Sequence, residues 1–143
     1  MLPADILLVE DDPIDAKFFK RAVKNTNDGT RVTWVKDGQA AVDHLTAVSA
    51  AGEPLPQLVV LDIKLPKLKG FDVLRHVRSN HPTRRVPVVM LSSSTQQADI
   101  EQAYDLGANS YLSKPSSFTR LTSLVTSLLD YWLSVNTAPS NSR

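Results

Sequence analysis

Asp62 ends the apolar run Leu58-Val59-Val60-Leu61, and Glu10 and Asp11 end a second run, Ile6-Leu7-Leu8-Val9. Short apolar runs bounded by turn formers read as fully buried strands of a parallel sheet. Open α/β sheets hold their ligands outside the carboxyl ends of the strands. If these two strands are neighbours, three carboxylates meet at one edge. Like charges that close repel, so the cluster calls for a cation. A donor set made only of oxygens favours a hard ion such as Mg²⁺. The run Val86-Pro87-Val88-Val89-Met90-Leu91 delivers Ser92-Ser93-Ser94 to the same edge, and Ser110-Tyr111-Leu112 delivers Ser113-Lys114-Pro115. The edge therefore collects acids, a hydroxyl and a lysine. Pro115 would fix the loop that carries Lys114, and a cis peptide bond is open to it.

The elements that position these groups alternate strand and helix five times. Strands are expected at 5–9, 31–35, 58–62, 86–91 and 110–112. Helices are expected at 14–25, 38–48, 71–79, 95–106 and 117–135. Ile14, Phe18 and Ala22, with Phe19 and Val23, give the first helix an apolar stripe at helical spacing. Leu121, Leu124, Val125, Leu128, Leu129 and Trp132 do the same for the last. Alternation with short connections implies an α/β fold with a doubly wound five-stranded parallel sheet and helices on both faces. Residues 1–135 form one domain on this reading, and 136–143 a flexible polar tail. Asp12 and Pro13 suit the start of the first helix. Trp34 reads as packing at the sheet edge.

Composition narrows the function. A chain of 143 residues with 42% hydrophobic and 22% charged residues can bury one core. The net charge is +1 and no helix carries a basic stripe, which argues against nucleic acid. The absence of cysteine excludes disulfides, thiolate metal sites and cysteine nucleophiles. His44, His76 and His81 are scattered and do not form a ligand set. No signal peptide fits Met1-Leu2-Pro3-Ala4-Asp5, and no apolar run is long enough for a membrane span, so a cytoplasmic protein is expected.

The chain resembles the receiver domains of two-component response regulators. The resemblance rests on Val9-Glu10-Asp11, on Leu61-Asp62-Ile63-Lys64-Leu65-Pro66 with Gly70, on Pro87 to Ser92, and on Gly107 to Pro115. It implies the flavodoxin-like (CheY-like) strand order 2-1-3-4-5. It also implies the roles. Asp62 would accept a phosphoryl group from a sensor histidine kinase. Glu10, Asp11, Asp62 and the backbone carbonyl of Lys64 would hold Mg²⁺. Lys114 and the Ser92 hydroxyl would bind phosphoryl oxygens, and Tyr111 would be the aromatic switch that follows Ser92. Ser92 replaces the commoner threonine, and Glu10 the commoner aspartate. Such a protein is a phosphorylation switch that catalyses only its own phosphorylation and dephosphorylation. A narrower resemblance, to stand-alone regulators of bacterial and cyanobacterial phytochromes, rests on the loop before strand three, on Asp62 to Lys67, and on Leu129-Asp130-Tyr131-Trp132-Leu133 followed by Pro139. It implies a phytochrome-type kinase as partner.

Two other classes compete. A Mg²⁺-dependent aspartyl phosphohydrolase of the haloacid-dehalogenase type needs a second aspartate two residues after the nucleophile, where this chain has Lys64. A pseudo-receiver that never takes phosphate usually lacks an acid or the lysine, and none is lacking here. A switch with no output domain has to act through its surfaces. Tyr131, Leu133 and Val135 fall outside the last helix's stripe and with Trp132 make a large apolar end. A homodimer is expected on the face of helix four, strand five and helix five, with the chain after Leu128 contributing and Tyr131, Trp132 and Leu133 in the interface.

Overall fold

The computed structural model describes residues 4–27 and 29–139. Five strands, β1 (Asp5–Val9), β2 (Arg31–Val35), β3 (Leu58–Leu61), β4 (Val88–Ser92) and β5 (Ser110–Ser113), form one sheet in the order β2-β1-β3-β4-β5. All four pairings are parallel. The helices are α1 (Pro13–Thr26), α2 (Gly38–Ala50), α3 (Gly70–Ser79), α4 (Gln97–Asp105) and α5 (Phe118–Leu129), followed by a π-helical turn at Asp130–Val135. The order implied by the resemblance is the order found.

Period-two alternation along the strands builds two cores. Leu7, Val9, Val59, Leu61, Val88 and Met90 face α2, α3 and α4, where they meet Leu45, Val73, Leu74 and Val77. Ile6, Leu8, Leu58, Val60, Val89 and Leu91 face α1 and α5, where they meet Phe19, Val23, Val125 and Leu129. Burial on both faces is why β1, β3 and β4 read as unbroken apolar runs. Below the sheet, the Arg78 guanidinium donates to the carbonyls of Gly107, Arg84 and Val86 and to Asn109 Oδ1. It ties α3 to the segments that enter β4 and β5.

The structure corrects three expectations. In α1 the buried residues are Ala16, Phe19, Ala22 and Val23. Ile14 is 62% exposed and Phe18 38%. Ile14 lies in the first turn, and Phe18 leans on Phe118 across a ring separation of 5.8 Å. The last helix does not run unbroken from 117 to 135, because its final turn is π-helical. There Leu133, expected outside the apolar stripe, packs with Trp132 against the α1–α5 core. Tyr131 and Val135 stay exposed, at 49% and 62%. Finally, no peptide bond among the described residues is cis, including the one before Pro115. Residues 136–139 continue without regular structure, and 140–143 of the expected tail lie outside the described residues.

Candidate active site and metal centre

Parallel pairing of β1 with β3 brings Val9 opposite Leu61, so the residues that follow each strand leave the sheet side by side. Those residues are Glu10 and Asp11 on one side and Asp62 on the other. The Asp62 amide donates to the Val9 carbonyl at 3.2 Å, and the Glu10 amide to Val35 at 3.1 Å. Glu10 and Asp62 are buried and Asp11 is exposed, and one carboxylate oxygen from each lies within 4.8 Å of the others. The neighbour condition posed by the sequence is met.

Each acid is held by local backbone. Asp62 Oδ1 accepts from the Ile63 amide at 2.7 Å. Glu10 Oε2 accepts from the Asp12 amide at 3.0 Å, while Asp12 caps α1 by accepting from the amides of Ile14 and Asp15. Gly70 opens α3 directly against the Asp62 loop, and a Cβ there would stand 2.0 Å from the Asp62 carbonyl oxygen. A side chain at position 70 would push the acid out of place.

Lys114 enters from the loop after β5, which is fixed by its amide donating to the Ser92 carbonyl at 2.9 Å. Its ammonium reaches Glu10 Oε1 at 2.7 Å, Asp62 Oδ2 at 2.8 Å and Asp15 Oδ2 at 3.0 Å. Three N–H donors meet three carboxylates, so the donor capacity of the group is filled. Burial alone would push the lysine down, but the bonds to Asp62 and Glu10 outweigh it and hold the ammonium charged. Burial pushes Glu10 up to about 6, and neither Lys114 nor the Asp12 amide fully pulls it back. The two directions are consistent. The lysine gains from three anions, and each anion has only a share of one cation.

The remaining expected residues lie around this centre. Ser92, buried at the end of β4, accepts from the Ser94 amide at 3.2 Å. The Tyr111 hydroxyl donates to the Ser94 carbonyl at 2.8 Å, and its ring packs against the α2–α4 core. Tyr111 is thus tied to the loop that carries Ser92. Lys64 lies two residues after Asp62 in the same loop, with its side chain exposed. Tyr131, Trp132 and Leu133 are elsewhere, at the end of α5 beside Asn109 and Ser110, the start of β5. They form no part of the charged site.

Two residues at the site escape a reading of the sequence. Asp15 looks like an acid placed to suit a helix N-terminus, yet it bonds Lys114. Trp34 looks like edge packing, yet its indole N–H donates to the Glu10 carbonyl at 2.7 Å. Lys20 and Lys36 sit at 5.1 and 5.2 Å from its ring.

Three oxygen donors in one cluster fit a hard divalent ion, and the adjacent ammonium suits an anion delivered beside it. Known proteins resemble this chain in sequence and fold. The chain is 40% identical over 137 residues to the probable methanogenesis regulatory protein FilR2 of Methanothrix harundinacea, covering 96% of this chain and 88% of that one. It is 32% identical to the response regulator Rcp1 of Synechocystis, covering 96% and 95%. The structure of the phosphorylated cyanobacterial phytochrome response regulator RcpA superposes with a TM-score of 0.89 at 35% identity, over 96% of this chain and 99% of that one. Rcp1 has been solved in a Mn²⁺-bound form, which superposes with a TM-score of 0.84 at 31% identity over 96% and 100% of the two chains. The receiver domain of the sensor kinase PA1611 of Pseudomonas aeruginosa, solved with magnesium in its active-site cleft, superposes with a TM-score of 0.72 at 30% identity over 92% and 98%. The response regulator receiver domain family matches residues 6–126, a span that contains every charged group of this site from Glu10 to Lys114, and the chain belongs to that family.

Proposed function

We propose that the chain is a single-domain response regulator that takes a phosphoryl group on Asp62 from a histidine kinase. The observation that carries this reading is the Lys114 ammonium held 2.8 Å from an Asp62 carboxylate that also belongs to a three-acid cluster. An Asp62 oxygen attacks phosphorus, the bond from phosphorus to the imidazole nitrogen breaks, and the imidazole leaves. Charge on the equatorial oxygens in such a transfer is met by positioning and electrostatics. Lys114 supplies donors for it, and the Ser92 hydroxyl supplies another. Glu10, Asp11, Asp62 and the Lys64 carbonyl would hold Mg²⁺, which would neutralise charge on the transferring group. Tyr111, bonded to the Ser94 carbonyl, carries the state of the Ser92 loop to the surface of β5.

The partner reading follows the same surface. Ile14 and Phe18 expose apolar area on α1, and a slot lined by Phe18, Phe118, Leu121, Glu10, Asp15 and Lys114 opens at the charged site. This surface suits a helical partner. The likeness to Rcp1 and to RcpA supports a phytochrome-type kinase, and no helix among the described residues is long and apolar enough to cross a membrane, which fits a cytoplasmic pair. Phosphotransfer from a phytochrome-type kinase should outpace transfer from a kinase of another sensor class, and equal rates would remove the pairing. The basic test is incubation with acetyl phosphate and Mg²⁺ followed by intact mass. One stable added phosphoryl group is expected. Rapid turnover with no adduct would favour a phosphohydrolase, and an unchanged mass with an unconsumed donor a pseudo-receiver.

Output is proposed to run through a homodimer on α4, β5 and α5. Exposed Tyr131 lines a groove with Leu112, Leu124, Leu128 and Trp132, and Val135 is exposed further along the chain. Trp132 and Leu133 are both half-buried against the α1–α5 core, so Tyr131 and Val135 carry the exposed apolar area of this end. Tyr131→Asp is expected to shift light scattering at micromolar concentration from dimer to monomer. A wild type that is monomeric with and without phosphate would remove the dimer.

A further inference from the structure

We propose that Asp15 is a positioning residue that restrains Lys114 and so limits how readily Asp62 is phosphorylated. The proposal rests on the reading of Asp62 as the acceptor. Lys114 has three donors and spends them on Glu10, Asp62 and Asp15. The first two partners change when the site works. Glu10 belongs to the three-acid cluster, and a divalent ion bound there would compete with Lys114 for its carboxylate. Phosphorylation turns the Asp62 carboxylate into a mixed anhydride that carries the new charge on its phosphoryl oxygens. Both events release a donor of Lys114 toward the incoming group. Asp15 stands outside the cluster, so its claim on the third donor persists.

Asp15 has its backbone fixed by the helix. It is the third residue of α1, and its amide is bonded to the Asp12 cap. The helix start therefore sets where the Asp15 Cα stands, within reach of Lys114. Its side chain is 43% exposed, so the contact lies at the rim of the site. Two consequences have the same sign. One donor of the ammonium is kept from the phosphoryl oxygens. A negative charge also remains close to the path of a dianion, with four carboxylates sharing one lysine and one divalent ion. Water screens a rim charge only in part at this range. Asp15 thus opposes the arrival of phosphate.

Hydrolysis should respond differently. It begins from a dianion already in place and passes through a transition state of similar charge at the same position. Asp15 opposes both alike, so its removal changes the barrier little. The proposal therefore separates the two rates.

The test compares wild type with Asp15→Asn, Asp15→Ala and Asp15→Glu, using acetyl phosphate and Mg²⁺. The rate of labelling is read by intact mass, and the rate of loss after the donor is removed. Melting temperature shows that each variant is folded. Asp15→Asn and Asp15→Ala should be labelled faster by about fivefold at low salt, with the difference shrinking as salt rises. Loss should stay within about twofold of wild type, and Asp15→Glu should behave as wild type. Labelling of Asp15→Asn that is unchanged or slower would overturn the proposal, since Asp15 would then be inert or would align the lysine productively. A wild type that takes no phosphate would defeat the reading of Asp62 instead.

Discussion

Asp62→Asn is expected to take no phosphoryl group from acetyl phosphate under conditions where the wild type gains one. An amide oxygen is a poor nucleophile, and the two other acids of the cluster do not sit where Asp62 sits. Asp11 is exposed, and Glu10 is bound through one oxygen to Lys114 and through the other to the Asp12 amide. Asp62 has the same two kinds of partner, the Ile63 amide on Oδ1 and Lys114 on Oδ2, but it alone of the three follows β3, the central strand of the sheet. The fold should survive. The amide is isosteric, its oxygen can keep the Ile63 bond, and Lys114 retains Glu10 and Asp15 as partners. The amide NH₂ must then face the ammonium, a local cost of about 1 kcal/mol set against the removal of one charge from a crowded acidic cluster. Intact mass and a thermal melt check both halves. Undiminished labelling of a folded Asp62→Asn variant would move the acceptor elsewhere.

Mg²⁺ and pH should act on stability through the same carboxylate. Glu10 in the folded protein titrates at about 6, above its ordinary value of 4.5, because burial disfavours its charge. Between those two values the folded state binds more protons than the unfolded state, so stability falls as pH rises through this window. The loss amounts to about 2 kcal/mol for the metal-free protein. A divalent ion needs the ionised carboxylate, so its stabilisation should be present above pH 6 and fade below it. At a concentration well above its dissociation constant the ion contributes on the order of 1–3 kcal/mol. Melts from pH 4 to 8, with and without Mg²⁺, read both effects. Glu10→Gln/Asp11→Asn should flatten the pH dependence in this window and abolish the response to Mg²⁺. A double variant that Mg²⁺ stabilises as much as it does the wild type would place the ion elsewhere.

What the sequence discloses and what it hides divide along physical lines. β1, β3 and β4 are legible because both of their faces are buried, which leaves unbroken apolar runs. Glu10, Asp62 and Lys114 are legible because each directly follows a strand, with Asp11 one residue further on, and strand ends converge in a parallel sheet. The stripe of α1 is misread because Ile14 and Phe18 are apolar at the right spacing but lie near the helix start, next to the charged site, while Ala16 is too small to announce its burial. Leu133 is misread because its placement depends on a π-helical turn, for which the residues give no signal. Asp15 and Trp34 are hidden for another reason. Their partners lie 99 and 24 residues away in the chain, and a helix-start acid and an edge-strand indole each have an ordinary explanation that needs no partner.

The bond from Trp34 to the Glu10 carbonyl makes this protein its own optical instrument. An indole's emission shifts with the polarity and charge around it, and this one is anchored to the backbone of the acid loop with the Lys20 and Lys36 ammonium groups 5.1 and 5.2 Å from its ring. Movement of that loop on metal or phosphate binding is felt by the chromophore without any label. The other tryptophan, Trp132, sits at the far end of α5 against the groove proposed for dimerisation. The two fluorophores therefore watch opposite ends of the molecule. Replacing either with phenylalanine leaves a single-channel reporter, one for loading of the site and one for pairing of the chains, and the delay between their signals measures how fast the switch transmits.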